Sequence, residues 1–194
     1  MSVVVRFPPS PTGPLHLGSA RTALFNYLFA KQQGGKIYLR IEDTDRERSR
    51  MEFERDIQDA LSWLGLTFDN PKPIRQSERT ASYEQALQKL IEQGRAYLAD
   101  DQVIRFRNPG QTVSFTDSIR GQISLAVEEL GDFVIAKSLT QPLYHLAVVV
   151  DDLELGVTHV IRGEDHISNT PRQILLLEAL GGQRPVYAHI PLIL

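Results

Sequence analysis

The sequence predicts an α/β protein in which a mostly parallel sheet carries helices on both faces. A short apolar run at 3–5 is followed by a loop rich in Gly and Pro, and then by apolar residues at helical spacing. Residues 36–42 alternate between polar and apolar, as in a strand. The later apolar runs at 143–150 and 157–161 are typical of strands buried on both faces. A strand, a crossover helix and a parallel strand in succession predict a Rossmann-like fold.

The remaining elements follow in chain order. Helical spacing predicts a first helix that ends at Gly34 and Gly35, and further helices over 51–64, 82–93 and 168–180. Short β-like pieces lie at 103–107, 113–115, 122–125 and 133–137, and a last strand is predicted at 186–194. We therefore expect a discontinuous nucleotide-binding domain, 1–70 and 142–194, that holds a small inserted α/β lobe, 71–141. Asp151 and Asp152 are predicted to turn the chain after the buried strand.

Composition restricts the class of protein. The chain has 194 residues, 42% of them hydrophobic, and a formal net charge of −3, so its overall charge does not indicate a nucleic-acid binder. There is no cysteine, which excludes disulfides and thiolate metal sites. We found neither an apolar run of membrane-spanning length nor an N-terminal signal pattern. We therefore expect a cytoplasmic protein with no membrane partner.

The loop between the first strand and the first helix is the strongest candidate for a functional site. Glycines let the backbone approach a ligand closely, and the start of a helix presents free N–H groups and positive dipole charge, which suit a phosphate. The spacing is neither that of a Walker A loop nor G-x-G-x-x-G. Instead, His16 stands two residues before Gly18.

This loop resembles the first signature of the class I aminoacyl-tRNA synthetases. Four further motifs, in the same order as in the glutamyl-tRNA synthetase family, extend the resemblance over nearly the whole chain. The five motifs are His16-Leu17-Gly18-Ser19, Pro9-Ser10-Pro11-Thr12-Gly13, Arg40-Ile41-Glu42-Asp43-Thr44-Asp45, Val149-Val150-Asp151-Asp152 and Ile161-Arg162-Gly163-Glu164-Asp165. Ser19 replaces the last histidine of the first signature, so His16 is the only imidazole of that motif.

The resemblance implies an enzyme that uses ATP to activate L-glutamate as glutamyl-adenylate and then transfers glutamate to tRNA(Glu). The cofactors implied are ATP and Mg²⁺, with Mg²⁺ arriving with ATP rather than held by protein side chains. The partners implied are L-glutamate and the acceptor end of tRNA(Glu), and we expect a monomer.

The resemblance also implies a role for each matching residue. The implied catalytic residues are His16, Gly18 and Ser19; the ATP-binding residues are Pro11, Thr12, Gly13, His16, Gly18, Glu164 and Asp165; the amino-acid-binding residues are Arg6, Ser10, Glu42, Tyr144 and Arg162; the tRNA-binding residues are Thr44, Asp45 and Arg48. A glutamate ligand brings two carboxylates and one ammonium, and arginine suits a carboxylate because its fork can bind both oxygens. We therefore expect Arg162 to bind the side-chain carboxylate and Glu42 the ammonium. Asp151 and Asp152 stay outside the site, because an Asp pair that caps a turn explains them as well.

Two departures from the family pattern stand out. Only residues 98–102 occupy a place where the family usually carries a long segment, often with zinc-binding cysteines. The lysine-rich second signature would come after residue 194, and the helical anticodon-binding region is absent. The sequence therefore resembles an isolated or reduced catalytic domain, for which we expect low activity.

Three alternatives remain at this stage. The first is the related enzyme that glutamylates queuosine in tRNA(Asp), although the run at 40–49 is closer to the synthetase. The second is a fragment that binds ATP and glutamate with little catalysis. The third is a small-molecule nucleotidyltransferase, which the lack of a second histidine at Ser19 disfavours.

Overall fold

A computed structural model describes residues 2–193. Met1 and Leu194 lie outside the described residues. Both fall within the predicted domain limits, and Leu194 also falls within the predicted last strand. The strands are β1 (Val4–Phe7), β2 (Lys36–Ile41), β3 (Ile74–Arg75), β4 (Ala96–Leu98), β5 (Ile104–Phe106), β6 (Thr112–Asp117), β7 (Gly121–Ala126), β8 (Phe133–Ser138), β9 (Gln141–Pro142), β10 (His159–Gly163) and β11 (Val186–Ile190). The α-helices are α1 (Leu17–Gln32), α2 (Met51–Trp63), α3 (Thr80–Glu92), α4 (Tyr144–Glu154) and α5 (Thr170–Ala179).

The strands of the nucleotide-binding part form a parallel arrangement, as predicted, and β3, which falls within the range predicted for the lobe, 71–141, joins them. β1 pairs in parallel with β2, β2 with β3, and β10 with β11. β10 lies beside β1, because Thr158, the residue before β10, donates its N–H to the Val4 carbonyl of β1 at 2.9 Å. The spatial order is therefore β3-β2-β1-β10-β11, with the first strand in the middle, which confirms the Rossmann-like fold.

Helices cover both faces of this sheet, also as predicted. On one face, Val5, Ile37, Ile161 and Ile190, one residue from each of four strands, pack in a single cluster with Ala30 of α1. The adjoining hydrophobic cluster on this face includes Ile57 and Leu61 of α2. On the other face, residues of β10 and β11 pack against α4 and α5. None of the described helices is both long and apolar enough to cross a membrane.

The prediction of a strand at 143–150 is wrong, because this segment is the helix α4. The side chains from Leu146 to Asp151 are all buried, since the helix is covered by α3, α5 and β8 as well as by the sheet. The sequence of a helix that is buried on all sides is a continuous apolar run. Periodicity alone cannot distinguish such a run from that of a buried strand. Asp151 and Asp152 consequently lie within the helix and do not form a turn.

The segment predicted to be an inserted lobe contributes to two sheets. Strands β4, β5, β8 and β9 form an antiparallel sheet of their own. The β6–β7 hairpin instead joins the edge of the central sheet, where Asp117 pairs with Tyr187 of β11. The Ser118 N–H continues this contact, donating to the Tyr187 carbonyl at 2.8 Å. The hairpin therefore ties the lobe segment to the strand beside β10.

A fully buried carboxylate, Asp151, joins α4 to the start of the lobe segment. It accepts hydrogen bonds from Arg79 Nε at 2.7 Å, Gln76 Nε2 at 2.8 Å and the Tyr83 hydroxyl at 3.0 Å. Arg40 of β2 also lies near, with its Nε 3.6 Å from Asp151 Oδ2. A buried ion pair is compensated only while both partners and their hydrogen bonds remain.

We predict that Asp151→Asn lowers the free energy of unfolding by about 3 kcal/mol, because it leaves the Arg40 and Arg79 cations without their shared buried counter-ion. Urea denaturation at neutral pH measures the change. The matched control is Glu154→Gln, which alters the half-exposed second partner of Arg79 and should cost less than about 1 kcal/mol. Equal losses in the two variants would contradict a special role for the buried carboxylate.

Candidate active site

A cavity of about 450 Å³ opens at the carboxyl ends of β1, β2 and β10. This is the place where open α/β sheets bind ligands. The predicted site residues that line it are Arg6, Ser10, Thr12, Gly13, His16, Gly18, Ser19, Glu42, Tyr144, Arg162 and Asp165. The structure therefore brings together residues from the first loop, the end of β2, the start of α4 and β10.

The first loop is fixed by backbone hydrogen bonds to the elements beside it. The Glu42 N–H donates to the Pro9 carbonyl at 2.9 Å, and the Arg50 N–H donates to the Pro11 carbonyl at 3.0 Å. Pro11, predicted to bind ATP, is itself buried, and only its neighbours line the cavity. The loop thus connects the end of β2 and the start of α2 to the cavity wall.

His16 is the N-cap residue of α1. Its Nδ1 accepts from the Ser19 N–H at 3.3 Å, and the Ser19 hydroxyl lies 2.8 Å from its Nε2. A Cβ on Gly18 would approach the His16 ring to 3.2 Å, which is tight, so glycine gives the ring its room. The first turn of α1 holds no acidic residue. The positive end of the α1 dipole lies beside the cavity, and no carboxylate of the first turn of α1 neutralises it.

Two buried arginines meet one carboxylate of α4 beneath the cavity. Asp152 Oδ1 accepts from Arg6 Nε at 3.1 Å and from Arg40 Nη1 at 2.6 Å, and Arg40 Nη2 donates to Glu42 Oε1 at 3.1 Å. Burial disfavours the charged form of Arg40, but Asp152, Glu42 and Asp151 outweigh burial and raise its pKa. Burial also acts to raise the pKa of Asp152, but Arg6 and Arg40 together hold it below the usual carboxyl range.

Arg6 retains an unused donor. Its Nη1 is buried and has no hydrogen-bond partner among residues 2–193, although the residue lines the cavity. An unpaired buried donor costs free energy unless a ligand supplies an acceptor. Arg6 is therefore suited to receive a ligand oxygen.

Glu42 and Tyr144 supply an acceptor and a donor to the same cavity. Burial raises the pKa of Glu42, against the opposing effect of Arg40. Burial raises the pKa of Tyr144 to about 12, so its phenol stays protonated at neutral pH. The Tyr144 hydroxyl lies 3.3 Å from His166 Nδ1.

Arg162 is a buried cation surrounded by neutral acceptors. Its Nε donates to His189 Nε2 at 3.1 Å, its Nη1 to Gln173 Oε1 at 2.7 Å, and its Nη2 to the Thr170 hydroxyl at 2.8 Å. Within the part of the chain that the structure describes, none of the ion pairs includes Arg162. Burial therefore lowers its pKa. A buried arginine without a counter-ion can be stabilised by an anionic ligand.

A second cavity, of about 880 Å³, adjoins the first and shares Ser10, Thr12, Glu42 and Tyr144 with it. The predicted tRNA-binding residues Thr44, Asp45 and Arg48 line this second cavity. Asp45 and Arg48 pair with each other at 2.6 Å on the exposed surface, so Arg48 is only partly available to an anion. Lys137 and Arg46 add cations to the same wall.

Glu164 lies apart from the other predicted residues. It is not among the residues that line either cavity; it pairs with Arg120, and its Oε1 accepts from the Leu192 N–H at 2.9 Å. Its neighbour Asp165 does line the first cavity, where a Cβ on Gly163 would clash with its carboxylate at 2.3 Å. The structure thus separates two adjacent acids that the sequence could not distinguish.

Sequence reasoning did not identify the residues that hydrogen-bond to the cavity-lining side chains from within the protein. These are Arg40, Asp152, Thr170, Gln173 and His189. A signal existed for Arg40, which is on the same side of β2 as Glu42 and is therefore a charge on a sheet that is covered on both faces. His189 and Gln173 gave no such signal.

Comparison with known proteins assigns this chain to a family. Residues 2–103 and 99–194 match the class I tRNA synthetases (E and Q), catalytic domain. The chain therefore belongs to the class I aminoacyl-tRNA synthetases, in the branch for glutamate and glutamine. Two relatives in this branch are the glutamate–tRNA ligase 1 of Rubrobacter xylanophilus, 53% identical, and the glutamate–tRNA ligase of Desulforamulus reducens, 44% identical. Each comparison covers 100% of this chain.

A solved structure is similar over the same extent. The crystal structure of a glutamate tRNA ligase from Elizabethkingia meningosepticum, in complex with its amino acid, is 37% identical, with a TM-score of 0.87, over 100% of this chain and 50% of that one. The chain spans about half the length of its relatives, 45% of the Rubrobacter protein and 51% of the Desulforamulus protein.

The relatives differ in length across the matched region. The comparison with the Desulforamulus protein extends over 244 positions, whereas that with the Rubrobacter protein extends over 197. The present chain, with 194 residues, is thus shorter here than the first relative and nearly equal to the second. The two segments that match the family meet at 99–103, which is the turn between β4 and β5.

The depressed pKa of Asp152 predicts a specific loss of stability in acid. The ionised form contributes stability above the unfolded pKa of about 3.9, and this contribution disappears as pH falls through the lower folded pKa. The difference in free energy of unfolding between wild type and Asp152→Asn should therefore be largest at neutral pH and shrink as pH falls below about 4. Asp59→Asn, at an exposed position of α2, is the control and should show only a small difference. Parallel pH profiles for both variants would contradict the assignment.

Proposed function

We propose that this chain is the catalytic domain of a glutamate–tRNA ligase, which activates L-glutamate with ATP and transfers it to tRNA(Glu). One observation carries the proposal: two buried arginines, Arg6 and Arg162, and the carboxylate of Glu42 line one cavity beside the start of α1. The names of the relatives and the amino-acid complex of the Elizabethkingia enzyme support it.

The charges around the cavity complement those of glutamate. Among residues 2–193, Arg162 has no carboxylate partner, so we assign it to the side-chain carboxylate, while Glu42 accepts from the ammonium group. Arg6 contributes its unpaired Nη1 and Tyr144 its hydroxyl as further donors. Glutamine would present a neutral amide to Arg162, which would leave the buried cation uncompensated. A site of this kind can reject the neutral analogue strongly.

The activation step joins the α-carboxylate of glutamate to the α-phosphate of ATP and releases pyrophosphate. It requires that both substrates be held in line and that negative charge on the phosphate oxygens be stabilised. His16, Ser19 and the N–H groups at the start of α1 supply donors at that place. No group of three His, Cys, Asp or Glu side chains that could hold a metal occurs among residues 2–193. In the proposed reaction Mg²⁺ would arrive with ATP, whose charge it would neutralise.

The second cavity is where we place the end of the tRNA. It opens directly beside the first and shares Glu42 and Tyr144 with it, so a terminal ribose there would reach the activated glutamate. Thr44, Arg46 and Lys137 provide polar and cationic groups for a phosphate or a hydroxyl. We assign Asp45 and Arg48 to the same surface.

We predict that Arg162→Gln raises the dissociation constant of glutamate by about 10- to 100-fold, because a charged hydrogen bond to the ligand is lost. The preference for glutamate over glutamine should disappear in the same variant. Isothermal titration of both amino acids measures this, with Arg55→Gln, an exposed arginine of α2, as the control. If Arg162→Gln kept both the affinity and the preference, the assignment of the side-chain carboxylate would be wrong.

We also predict that His16→Asn weakens ATP binding by about tenfold or more while the fold is kept, because asparagine caps a helix as well but lacks the imidazole. Titration with ATP measures the affinity, and thermal unfolding confirms that α1 remains capped. His159→Asn, at the opposite end of the sheet, is the control. Unchanged ATP affinity in His16→Asn would remove His16 from the proposed ATP site.

A further inference from the structure

The guanidinium of Arg162 is positioned by a chain of buried groups that leads away from the cavity. His189 Nε2 lies 3.1 Å from Arg162 Nε, and His189 Nδ1 lies 2.6 Å from Asp117 Oδ2. The side chains of His189 and Asp117 are both fully buried. The three residues belong to three neighbouring strands: Arg162 to β10, His189 to β11 and Asp117 to β6.

The chemistry of Arg162 determines the protonation of His189. A guanidinium can only donate, so the Nε2 atom facing it must be the unprotonated acceptor. The proton of a neutral His189 is then on Nδ1, from which it is donated to Asp117. The Thr170 hydroxyl, 3.3 Å from the same Nε2, instead has an acceptor in the His166 carbonyl at 3.2 Å. One tautomer of His189 satisfies every partner.

Asp117 is held as rigidly as the histidine. Its Oδ2 also accepts from the backbone N–H of His189 at 3.0 Å. Its Oδ1 accepts from the N–H groups of Ile119 at 3.0 Å and Arg120 at 2.9 Å, in the turn between β6 and β7. All of these partners are donors, so a carboxylate is the side chain that suits this place.

We propose that Asp117 and His189 are positioning residues that fix Arg162 for an acidic ligand and so contribute to the preference for glutamate. The proposal rests on the proposed function, in which Arg162 binds the side-chain carboxylate. Asp117 belongs to the hairpin that joins the lobe segment to β11, so this relay also connects that hairpin to the amino-acid cavity.

The relay makes ligand binding sensitive to acid. Protonated His189 would carry a proton on Nε2 and would present a second donor and a second positive charge to Arg162. Burial lowers the pKa of His189, Asp117 opposes this, and Arg162 and His166 lower it further. The groups that face the ring are Asp117 from β6, Arg162 from β10, Thr170 from α5 and the stacked ring of Tyr187 from β11.

The neutral form of His189 is therefore favoured in the folded chain, because its pKa there lies below the ordinary histidine value of about 6.5. We expect glutamate affinity to be highest where His189 is neutral. The affinity should decline as pH falls through the lowered pKa of His189.

The first test is the tautomer of His189 in the wild-type chain, read from ring ¹⁵N chemical shifts. We expect a protonated Nδ1 and an unprotonated Nε2 at neutral pH. In Asp117→Asn, the amide has one acceptor oxygen for two sets of donors; when this oxygen accepts from the N–H groups of Ile119 and Arg120, the amide NH₂ faces His189 Nδ1. We therefore expect the ring to change to the Nε2-protonated form, which opposes Arg162.

The second test is isothermal titration with L-glutamate between pH 5 and pH 8, with ATP titrated in parallel. We expect Asp117→Asn to raise the glutamate dissociation constant by about tenfold, and that of ATP by less than about twofold. His189→Gln keeps an acceptor for Arg162 but cannot titrate, so it should bind glutamate within about fivefold of wild type at pH 8 and lose the decline in acid. Asp132→Asn, which alters an Asp bonded to Tyr97 and Asn108 within the lobe sheet, is the matched control.

Any one of three results would contradict the proposal. These are an Nε2-protonated His189 in wild type, unchanged glutamate affinity in Asp117→Asn, and an equal dependence of glutamate affinity on pH in wild type and His189→Gln. If Asp117→Asn does not fold, the wild-type tautomer and His189→Gln still decide the question. If the wild-type chain binds no glutamate at any pH, the proposed function fails instead. The ¹⁵N shifts of His189 then test the geometry of the relay separately.

Discussion

The bonds from Asp152 to Arg6 and Arg40 are the interaction on which the rest of the structure depends. They connect α4 to β1 and β2 on the sheet face opposite α1, and Arg40 is completely buried there. The two guanidinium groups share Asp152 Oδ1, and this carboxylate offsets both their mutual repulsion and the cost of burying them. The neighbouring Asp151 serves Arg79 and the lobe segment in the same way. Two consecutive residues of one helix therefore hold the site and the lobe together.

The two arginines of the cavity differ in whether a carboxylate compensates their charge, and on the proposed function this difference favours an acidic ligand. Arg6 has Asp152 as a counter-ion, so it is stable before a ligand arrives and contributes one unused donor. Arg162 has only neutral acceptors, which fix its orientation without cancelling its charge. The uncompensated positive charge thus lies at one point of the wall. A ligand binds most favourably when it places a carboxylate there, because the free-energy cost of burying the Arg162 cation is already included in folding.

The sequence was informative where contacts are local and uninformative where they are distant. The alternation in β2 and the glycine pair before it predicted the first βα unit, and the resemblance to the synthetases grouped Arg6, Glu42 and Arg162 in one pocket. The continuous apolar run of α4 could not reveal whether it was helix or strand. The bond from Arg40 to Asp152 joins residues 112 positions apart, and that from His189 to Asp117 joins residues 72 apart. No spacing rule connects such pairs before the fold is known.

The turn at 99–103, where the two segments that match the family meet, lies away from the residues that anchor the lobe segment. The β4–β5 turn is closed by the Ala99 N–H, which donates to the Val103 carbonyl at 2.9 Å, and by Gln102 at a positive φ of 65°. Neither Asp117 nor Asp151, the residues through which the lobe segment holds β11 and α4, belongs to this turn. Chain can therefore be added or removed at 99–103 without disturbing the contacts that fix Arg162 and Arg40. Since long insertions at a surface turn cost little loop entropy, the short and long forms can share one cavity.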